Sequence, residues 1–303
     1  MREFIISKKI ENKNIYLAIQ KEFPHVSPSA LNKAFRLKDI KVNDQRVNKD
    51  YVVKLNDIVK VYIADNILFG IPKDIYYAYE DENILVAYKP KGIVSNHEKG
   101  PKSSSMLYFD EMVTKDKGIP CVICHRLDTN TEGLVIFAKN ADAHKEILNA
   151  FSNNGINKEY ITLVHGRLPK NKDFLSHYIV KNECTGFSRI YENKVNGSKT
   201  CITEYSVLEY LKAKNCSVVS IKLHTGRTHQ IRAHMKHIGC HVIGDSKYST
   251  NEINNKFGIH TQVLYAVKYT FNFDKNSTLN YLNNIVIDIT PTVLDKIYTI
   301  INK

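Results

Sequence analysis

The sequence predicts an α+β fold, in which a small helix-helix-strand unit precedes a larger unit of mixed sheet and helices. Two hydrophobic patterns support this prediction: apolar residues recur at helical spacing in some segments, and alternate with polar residues or form short apolar runs in others. A stretch containing Gly70 and Pro72 carries the turn residues of a linker. We therefore expect a first domain over residues 1–65, a linker over 66–75 and a second domain over 76–303.

The first domain is expected to open with two helices. The first helix carries an apolar stripe and ends at Pro24. Ser27 is suited to cap the second helix, because its hydroxyl can accept a hydrogen bond from a free backbone N–H, and Pro28 follows at the first helical position. Lys33 and Arg36 lie off the apolar stripe of this second helix.

Strands and further helices are expected along the rest of the chain. In the first domain, two short strands flank an Asn43-Asp44 turn, and residues 57–63 alternate apolar and polar side chains as a half-buried strand does. In the second domain we expect a strand over residues 84–94 that is broken by Pro90 and Gly92, and further strands over 134–138 and 158–164. We also expect helices with the apolar stripes Ala143-Ile147-Phe151 and Ile231-Met235-Ile238.

The charge of the chain favours a polyanionic partner. Its 43 Lys and Arg exceed its 31 Asp and Glu, giving a net charge of +12, and residues 1–65 alone carry +5. Nucleic acid or an anionic membrane surface would attract such a protein. No basic amphipathic helix of membrane type stands out, and no apolar run approaches the roughly 18 residues of a membrane span. We expect a folded cytoplasmic protein that does not bind membranes.

The six cysteines and the histidines do not predict a metal or haem site. Cys121-Val-Ile-Cys124-His125 matches the attachment pattern of haem c. Such attachment belongs to exported proteins, and the apolar run near Met1 is too short for an export signal. The histidines between His224 and His241 do not form His-x-x-x-His with a glutamate. We expect no disulfide scaffold and no metal, and interpret these histidines as structural or RNA-facing.

The segment His-Arg-Leu-Asp-Thr-Asn-Thr-Glu-Gly-Leu at residues 125–134 is the most informative in the chain. It places the carboxylate of Asp128 between a basic pair and a glycine that opens an apolar strand, so that a loop presents one acid on a rigid sheet. An isolated Arg-x-Asp is also typical of an ordinary turn ion pair. The longer pattern is more specific than the pair alone.

This longer pattern resembles the active-site motif of the RluA-type family of RNA pseudouridine synthases, and Asp128 falls on the family's indispensable aspartate. Glu132 stands where the family usually has serine. A second carboxylate so close to Asp128 could raise the pKa of one of the two acids unless Glu132 turns outward to solvent.

Further segments resemble the same family and occur in the family's order. They are Lys-Pro-x-Gly at 89–92, Lys-x-Tyr at 158–160, Leu-x-Thr-Gly-Arg-Thr-His-Gln-Ile-Arg at 223–232 with Gly-Asp at 244–245, and 262–266 with Tyr265 where histidine is common.

The resemblance implies a catalytic domain with a mixed, mostly antiparallel sheet, and three catalytic residues. Asp128 would start cleavage of the glycosidic bond of uridine, by attack on the sugar or by assisting elimination. Tyr160 would stack on the base and offer a hydroxyl for proton transfer, although its spacing alone also fits a sheet-packing aromatic residue. Arg227, the first arginine of the closing motif and a helix-end charge by itself, would pair with Asp128 and keep it ionised.

RNA contacts are expected from both domains. Arg126 is the candidate to occupy the gap left by a flipped uridine, because its planar guanidinium can stack on bases, and His125 would assist. The order of elements over residues 1–65 resembles the small RNA-binding domain named after a small-subunit ribosomal protein, which implies RNA contacts from Lys33 and Arg36. A solvated helix face with ordinary basic residues is the other interpretation of that charge.

The implied activity is isomerisation of uridine to pseudouridine in structured RNA, with ribosomal RNA of the large subunit favoured over transfer RNA. Nothing is added to the base or lost from it, so no cofactor is expected. The leading alternative is a non-catalytic RNA-binding or ribosome-assembly protein that retains the fold while Glu132 has spoiled the pocket. A membrane-surface protein or a partner of acidic proteins would explain the charge but none of the motifs. The oligomeric state stays open.

Overall fold

A computed structural model describes residues 2–24, 26–68, 74–96 and 107–302. The chain divides into two compact units, one comprising residues 1–75 and 92–112 and the other residues 76–91 and 113–303. Part of the expected linker, residues 69–73, lies outside the described residues, whereas the start of that linker is helical. In the described part of the chain, no helix is both long enough and apolar enough to cross a membrane.

The bounds of the helices and strands follow the chain from Arg2 onward. The helices are α1 (Ile15–Glu22), α2 (Pro28–Arg36), α3 (Asp65–Leu68), α4 (Phe109–Lys117), α5 (Ala141–Ser152), α6 (Gln230–His237), α7 (Asn251–Phe257) and α8 (Thr290–Ile301). The strands are β1 (Arg2–Ile5), β2 (Ile40–Val42), β3 (Gln45–Arg46), β4 (Ile58–Val61), β5 (Tyr77–Glu80), β6 (Ile84–Lys89), β7 (Val122–Ile123), β8 (Glu132–Ala138), β9 (Ile156–His165), β10 (Lys172–Lys181), β11 (Ser188–Tyr191), β12 (Lys199–Leu211), β13 (Cys216–Leu223), β14 (Leu264–Phe271) and β15 (Val286–Asp288).

In the first unit, α1 and α2 accompany a sheet of strand order β1-β4-β2-β3. Ser27 caps α2 as predicted, its hydroxyl accepting a hydrogen bond of 3.2 Å from the backbone N–H of Ala30. The turn between β2 and β3 is also as predicted, since Asn43 and Asp44 adopt positive φ angles of 48° and 66°, the geometry of a two-residue hairpin. The predicted half-buried strand forms β4, whereas β1, which pairs with it, was not predicted.

In the second unit, the described strands form a single 11-stranded sheet. Its main path runs β11-β10-β12-β13-β9-β14-β8-β6-β5, while β15 pairs with β14 and β7 with β8. The contact between β14 and β8 is parallel and the other pairings are antiparallel. The predicted α+β class with a mostly antiparallel sheet is confirmed.

The parallel contact at the centre of this sheet depends on Gly133. A Cβ atom at this position would lie 2.1 Å from the carbonyl oxygen of Ala266 on β14, and the φ angle of Gly133 is +120°. A side chain here would therefore separate β8 from β14. The loop that holds Asp128 precedes this contact directly, so the close approach of the two backbones fixes where the loop enters the sheet.

Candidate active site

Asp128 lies in the loop between β7 and β8. Its backbone carbonyl accepts a hydrogen bond of 2.9 Å from the N–H of Thr131, which closes a turn immediately before β8. The side chain keeps 26% of its surface exposed, so a ligand can reach the carboxylate. The loop thus presents an accessible acid at the end of a fully buried strand.

The guanidinium that pairs with Asp128 belongs to Arg232, in the first half of α6. Its Nη1 donates to Oδ2 of Asp128 at 2.7 Å, and the residue is only 5% exposed. The expectation that Arg227 makes this pair is wrong. Arg227 precedes the helix, is exposed, and donates from Nε to the carbonyl oxygen of Thr200 at 3.1 Å.

Asp245 holds the other edge of the Arg232 guanidinium. Its Oδ2 accepts from Nε at 2.6 Å and its Oδ1 from Nη2 at 2.9 Å, and its side chain is fully buried. Burial raises the pKa of Asp245, but the hydrogen bonds and charge of Arg232 outweigh burial and leave this pKa below its ordinary value. Although burial lowers the pKa of Arg232, Asp245 and then Asp128 raise it above its ordinary value. The bidentate pair fixes the plane of the guanidinium and aims Nη1 at Asp128.

Tyr160 and Lys89 lie near Asp128 on the buried side of the site. Tyr160, on β9, is 6% exposed, and its pKa is raised first by burial and second by the charge of Asp128. Lys89 is fully buried at the end of β6 and donates to the carbonyl oxygens of Pro90 and Thr129, at 2.9 and 3.1 Å. Burial lowers the pKa of Lys89 to about 7, while Glu132 and Asp128 act in the opposite direction. The lysine therefore connects the Lys-Pro turn with the loop of Asp128.

His229 caps α6 beside the aspartate in a left-handed conformation, with φ of +56°. Its Nε2 lies 3.8 Å from Oδ2 of Asp128, and its Nδ1 lies 2.9 Å from the hydroxyl of Tyr248. Burial lowers the pKa of His229, with the charge of Asp128 opposing the shift. A neutral imidazole beside Asp128 can donate a hydrogen bond to a substrate without adding a second cation.

Glu132 does not turn outward to solvent. It is buried on β8 and accepts hydrogen bonds from the hydroxyl of Tyr88 at 3.0 Å and from Nζ of Lys296 at 2.6 Å. The same ammonium lies 5.1 Å above the ring centre of Tyr265, whose backbone is paired with Glu132 across β8 and β14. The carboxylate is therefore neutralised by its own partners, and the unusual residues Glu132 and Tyr265 belong to one cluster.

The predicted RNA-contacting residues have different surroundings. His125 is packed edge-on against Tyr269 and Phe151, and its Nε2 lies 3.1 Å from the backbone N–H of Ile136. Burial lowers its pKa to about 3, so this half-buried side chain is a neutral ring packed on the core, and its role in RNA contact stays a prediction. Arg126, two residues before Asp128 in the chain, is exposed. Lys33 and Arg36 are exposed on α2 of the first unit.

Sequence reasoning missed Arg232, Asp245, His229 and Lys89. The second arginine and the Gly-Asp pair were inside the closing motif, and Lys89 was inside the Lys-Pro-x-Gly turn, so the motifs contained the signal. The motifs did not show which of their residues faces Asp128.

The position before Asp245 requires glycine. The φ angle of Gly244 is +81°, and a Cβ atom there would lie 2.1 Å from the carbonyl oxygen of Thr261.

Comparison with known proteins gives a consistent result. Residues 83–237 match the family described as RNA pseudouridylate synthase. The chain is 30% identical to an uncharacterized RNA pseudouridine synthase of Mycoplasma capricolum, over 96% of this chain and 98% of that protein. It is 31% identical to the ribosomal large subunit pseudouridine synthase D of Buchnera aphidicola, over 83% and 80% of the two chains. The solved human RNA pseudouridylate synthase domain containing 1 has a similar fold, with a TM-score of 0.58, 21% identity, and coverage of 76% of this chain and 95% of its own.

Proposed function

Because this chain belongs to the RluA-type family of RNA pseudouridine synthases, and is therefore an enzyme that isomerises uridine in RNA, we propose that Asp128 starts the reaction and that ribosomal RNA of the large subunit is the substrate. One observation carries the first part of the proposal. Asp128 is accessible, and its Oδ2 is held at 2.7 Å by an arginine that a second, buried aspartate keeps in place.

The geometry of the Asp128 carboxylate suits a nucleophile or a base. Within the described part of the chain, hydrogen bonds and ion pairs to this carboxylate go to Oδ2, from Arg232 and at 3.8 Å from His229. Oδ1 is left to react. A charge-assisted hydrogen bond on one oxygen fixes the direction of the other.

The reaction breaks the bond between uracil and carbon 1 of the ribose, turns the base, and forms a bond from carbon 5 to the same carbon. The proton on carbon 5 leaves, and the nitrogen released from the sugar ends as N–H, so that atoms balance without a cofactor. Asp128 either attacks carbon 1 of the ribose or removes a proton that leads to elimination, and both routes require its ionised form.

Tyr160 is suited to contact the base and handle the proton on carbon 5. Its ring is rigidly packed on β9, and its pKa is raised by burial and by Asp128, so that the hydroxyl stays protonated at neutral pH. A protonated phenol can donate to an oxygen of uracil or relay a proton, and its ring can support the base.

Access of a paired uridine to Asp128 requires base flipping, at a cost of a few kcal/mol. Arg126 is exposed only two residues before the acid, and its guanidinium can stack on the bases that the flipped nucleotide leaves. We assign it this role, and we expect His125, whose half-buried ring is neutral, to assist.

The choice of substrate is supported by the relatives and by the first domain. Relatives in Buchnera and Rickettsia are named ribosomal large subunit pseudouridine synthases C and D. The first unit combines a net charge of +5 over residues 1–65 with Lys33 and Arg36 on the exposed side of α2. Lysine and arginine clustered on a helix face can neutralise RNA phosphates. We propose that residues 1–65, which lie within this unit, form an RNA-binding domain.

Pseudouridine mapping across cellular RNA tests both parts of the proposal. Cells that lack the gene would be complemented with the wild-type gene or with the Asp128→Asn variant. We expect one or a few sites in large-subunit ribosomal RNA to disappear on deletion and to return with the wild type alone. Sites lost only from transfer RNA would refute the substrate, and restoration by Asp128→Asn would refute the catalytic residue. If no site changed while the protein still bound RNA, the non-catalytic alternative would hold.

A further inference from the structure

A cluster of two imidazoles and one carboxylate lies on the second unit, formed by residues to which the proposed reaction assigns no role. His177 is on β10, Glu192 directly follows β11, and His237 ends α6. One ligand atom from each of the three side chains lies within 4.8 Å of the others. Nε2 of His177 is 3.3 Å from Oε2 of Glu192, and Nε2 of His237 is 2.6 Å from Oε1.

We propose that His177, Glu192 and His237 bind a divalent transition metal ion, with zinc the best fit. Two imidazole nitrogens and one carboxylate oxygen are a donor set typical of zinc, with remaining positions open to water. Magnesium and calcium prefer oxygen ligands alone, and soft copper(I) prefers sulfur. The donor set therefore selects the chemical class of the ion.

The spacing of the donor atoms fits this class. Ligands at about 2.1 Å from a tetrahedral zinc ion lie about 3.4 Å apart. The separation of 3.3 Å between His177 and Glu192 already agrees with this value. Nε2 of His237 is hydrogen-bonded at 2.6 Å to Oε1, the other oxygen of Glu192, and this contact must open for His237 to reach an ion held by Oε2. Both side chains can adjust, because they keep 28% and 67% of their surface exposed.

A buried residue behind the cluster supports the orientation of His177. Nδ1 of His177 lies 3.4 Å from Nε2 of His234, and Nδ1 of His234 lies 2.7 Å from the hydroxyl oxygen of Thr203. The metal-bound form requires the tautomers in which Nδ1–H of His177 donates to His234 and Nδ1–H of His234 donates to Thr203, and these contacts allow it. The Nε2 of His177 then has its lone pair available for the ion. Metal-binding histidines commonly donate their other N–H in this way.

The proposal also says what the ion does for the fold. It joins the end of α6 to β10 and to the segment after β11, which are three separate parts of the second unit. The same helix carries Arg232 in its first half. The ion thus anchors the far end of the helix that holds the partner of Asp128.

Zinc titration of the full-length protein tests the site. After removal of metal with a chelator, zinc binding would be measured by calorimetry in a Cys184→Ser background, because Cys184 is an exposed thiol that could bind zinc by itself. We expect one zinc ion per chain, bound at least about 10-fold more weakly after Glu192→Gln or His237→Gln. The matched control is His224→Gln, which removes a histidine that contacts Glu204 at 3.0 Å without belonging to the cluster.

Three results would overturn the proposal: no zinc binding by the parent protein, unchanged affinity in Glu192→Gln and His237→Gln, or an equal loss in His224→Gln. Circular dichroism and melting without zinc would establish that each variant is folded, so that lost binding reports the ligands. Cobalt(II) provides an independent readout. Intense visible absorption of a low-coordinate ion is expected in the parent protein, and the weak absorption of hydrated cobalt alone would contradict the site.

Discussion

Replacement of Arg232 by glutamine is the most informative perturbation of the site. The side chain donates one hydrogen bond to Asp128 and two to Asp245, and it is 5% exposed. Without it, the carboxylate of Asp245 stays buried with no cation against it. Breaking a buried ion pair in this way costs about 3–5 kcal/mol. At about 2–4 °C for each kcal/mol, we expect the melting temperature of the second unit to fall by roughly 6–20 °C.

The same variant should also slow the reaction. A hydrogen bond to a charged group contributes about 1.5–3 kcal/mol. If this free energy serves to hold Asp128 in its reactive form, the single-turnover rate of pseudouridine formation should fall roughly 10- to 150-fold in Arg232→Gln. The assay would be run on a structured RNA substrate, at a temperature where circular dichroism shows the variant to be folded.

Arg227→Gln is the matched control for this experiment. Arg227 lies in the same motif and carries the same charge, but it is exposed and donates to a backbone carbonyl of β12. Its loss should cost about 1 kcal/mol or less and should leave the single-turnover rate nearly unchanged. A rate loss in Arg227→Gln equal to that in Arg232→Gln would refute the assignment of the arginine.

Three further predictions concern other parts of the protein. Tyr160→Phe keeps the packed ring but loses the hydroxyl, so single-turnover rates should fall about 100-fold or more while RNA affinity in filter binding stays unchanged; an unaltered rate would remove the hydroxyl from the mechanism. Burial lowers the pKa of Lys89 from about 10.5 in the unfolded chain to about 7 in the folded protein, so between these values only the unfolded chain holds the proton. The free energy of unfolding should therefore rise between pH 7 and 10 by up to about 1.4 kcal/mol per pH unit. Urea denaturation of Lys89→Met at several pH values should show a smaller rise, because this lysine no longer contributes to it. Replacing both Lys33 and Arg36 by glutamine should reduce the dependence of log K on log salt by about 1–2, and an unchanged slope would exclude α2 from the RNA contact.

The features that the sequence predicted correctly are those set by residues close together in the chain. The capped start of α2 and the turn at Asn43 and Asp44 were found because each depends on local chemistry. The pairing of β1 with β4 and the order of the 11-stranded sheet depend on contacts between distant residues. Periodicity carries no information about such contacts, so these features could be supplied only by the structure or by the family.

The wrong choice between Arg227 and Arg232 has a physical reason. A helical stripe through Ile231 and Met235 assumes one buried face and one exposed face. In α6, residues from Gln230 to Met235 are all buried, so the helix has no exposed face in its first half. A charged residue beside the stripe therefore points into the protein, and the arginine outside the helix is the exposed one.

Distance along the chain explains what else the sequence did not reveal. The ring of His125 packs on Tyr269, 144 residues later, a contact that the neighbouring Arg126 does not indicate. The sequence leaves open how Glu132 is accommodated beside Asp128, because its cation, Lys296, comes from α8, 164 residues later. The cluster of His177, Glu192 and His237 likewise has no common motif, because each member comes from a different element. These partners cannot be read from spacing.

The direct test of the central claim is the single-turnover rate of Asp128→Asn, measured beside Glu132→Gln. The two carboxylates lie four residues apart, but one faces the accessible site and the other is paired with Lys296. We predict that Asp128→Asn forms pseudouridine at less than about 1% of the wild-type rate while still binding RNA, and that Glu132→Gln retains activity. Pseudouridine formation by Asp128→Asn above that level, or an equal loss in Glu132→Gln, would contradict the role of Asp128.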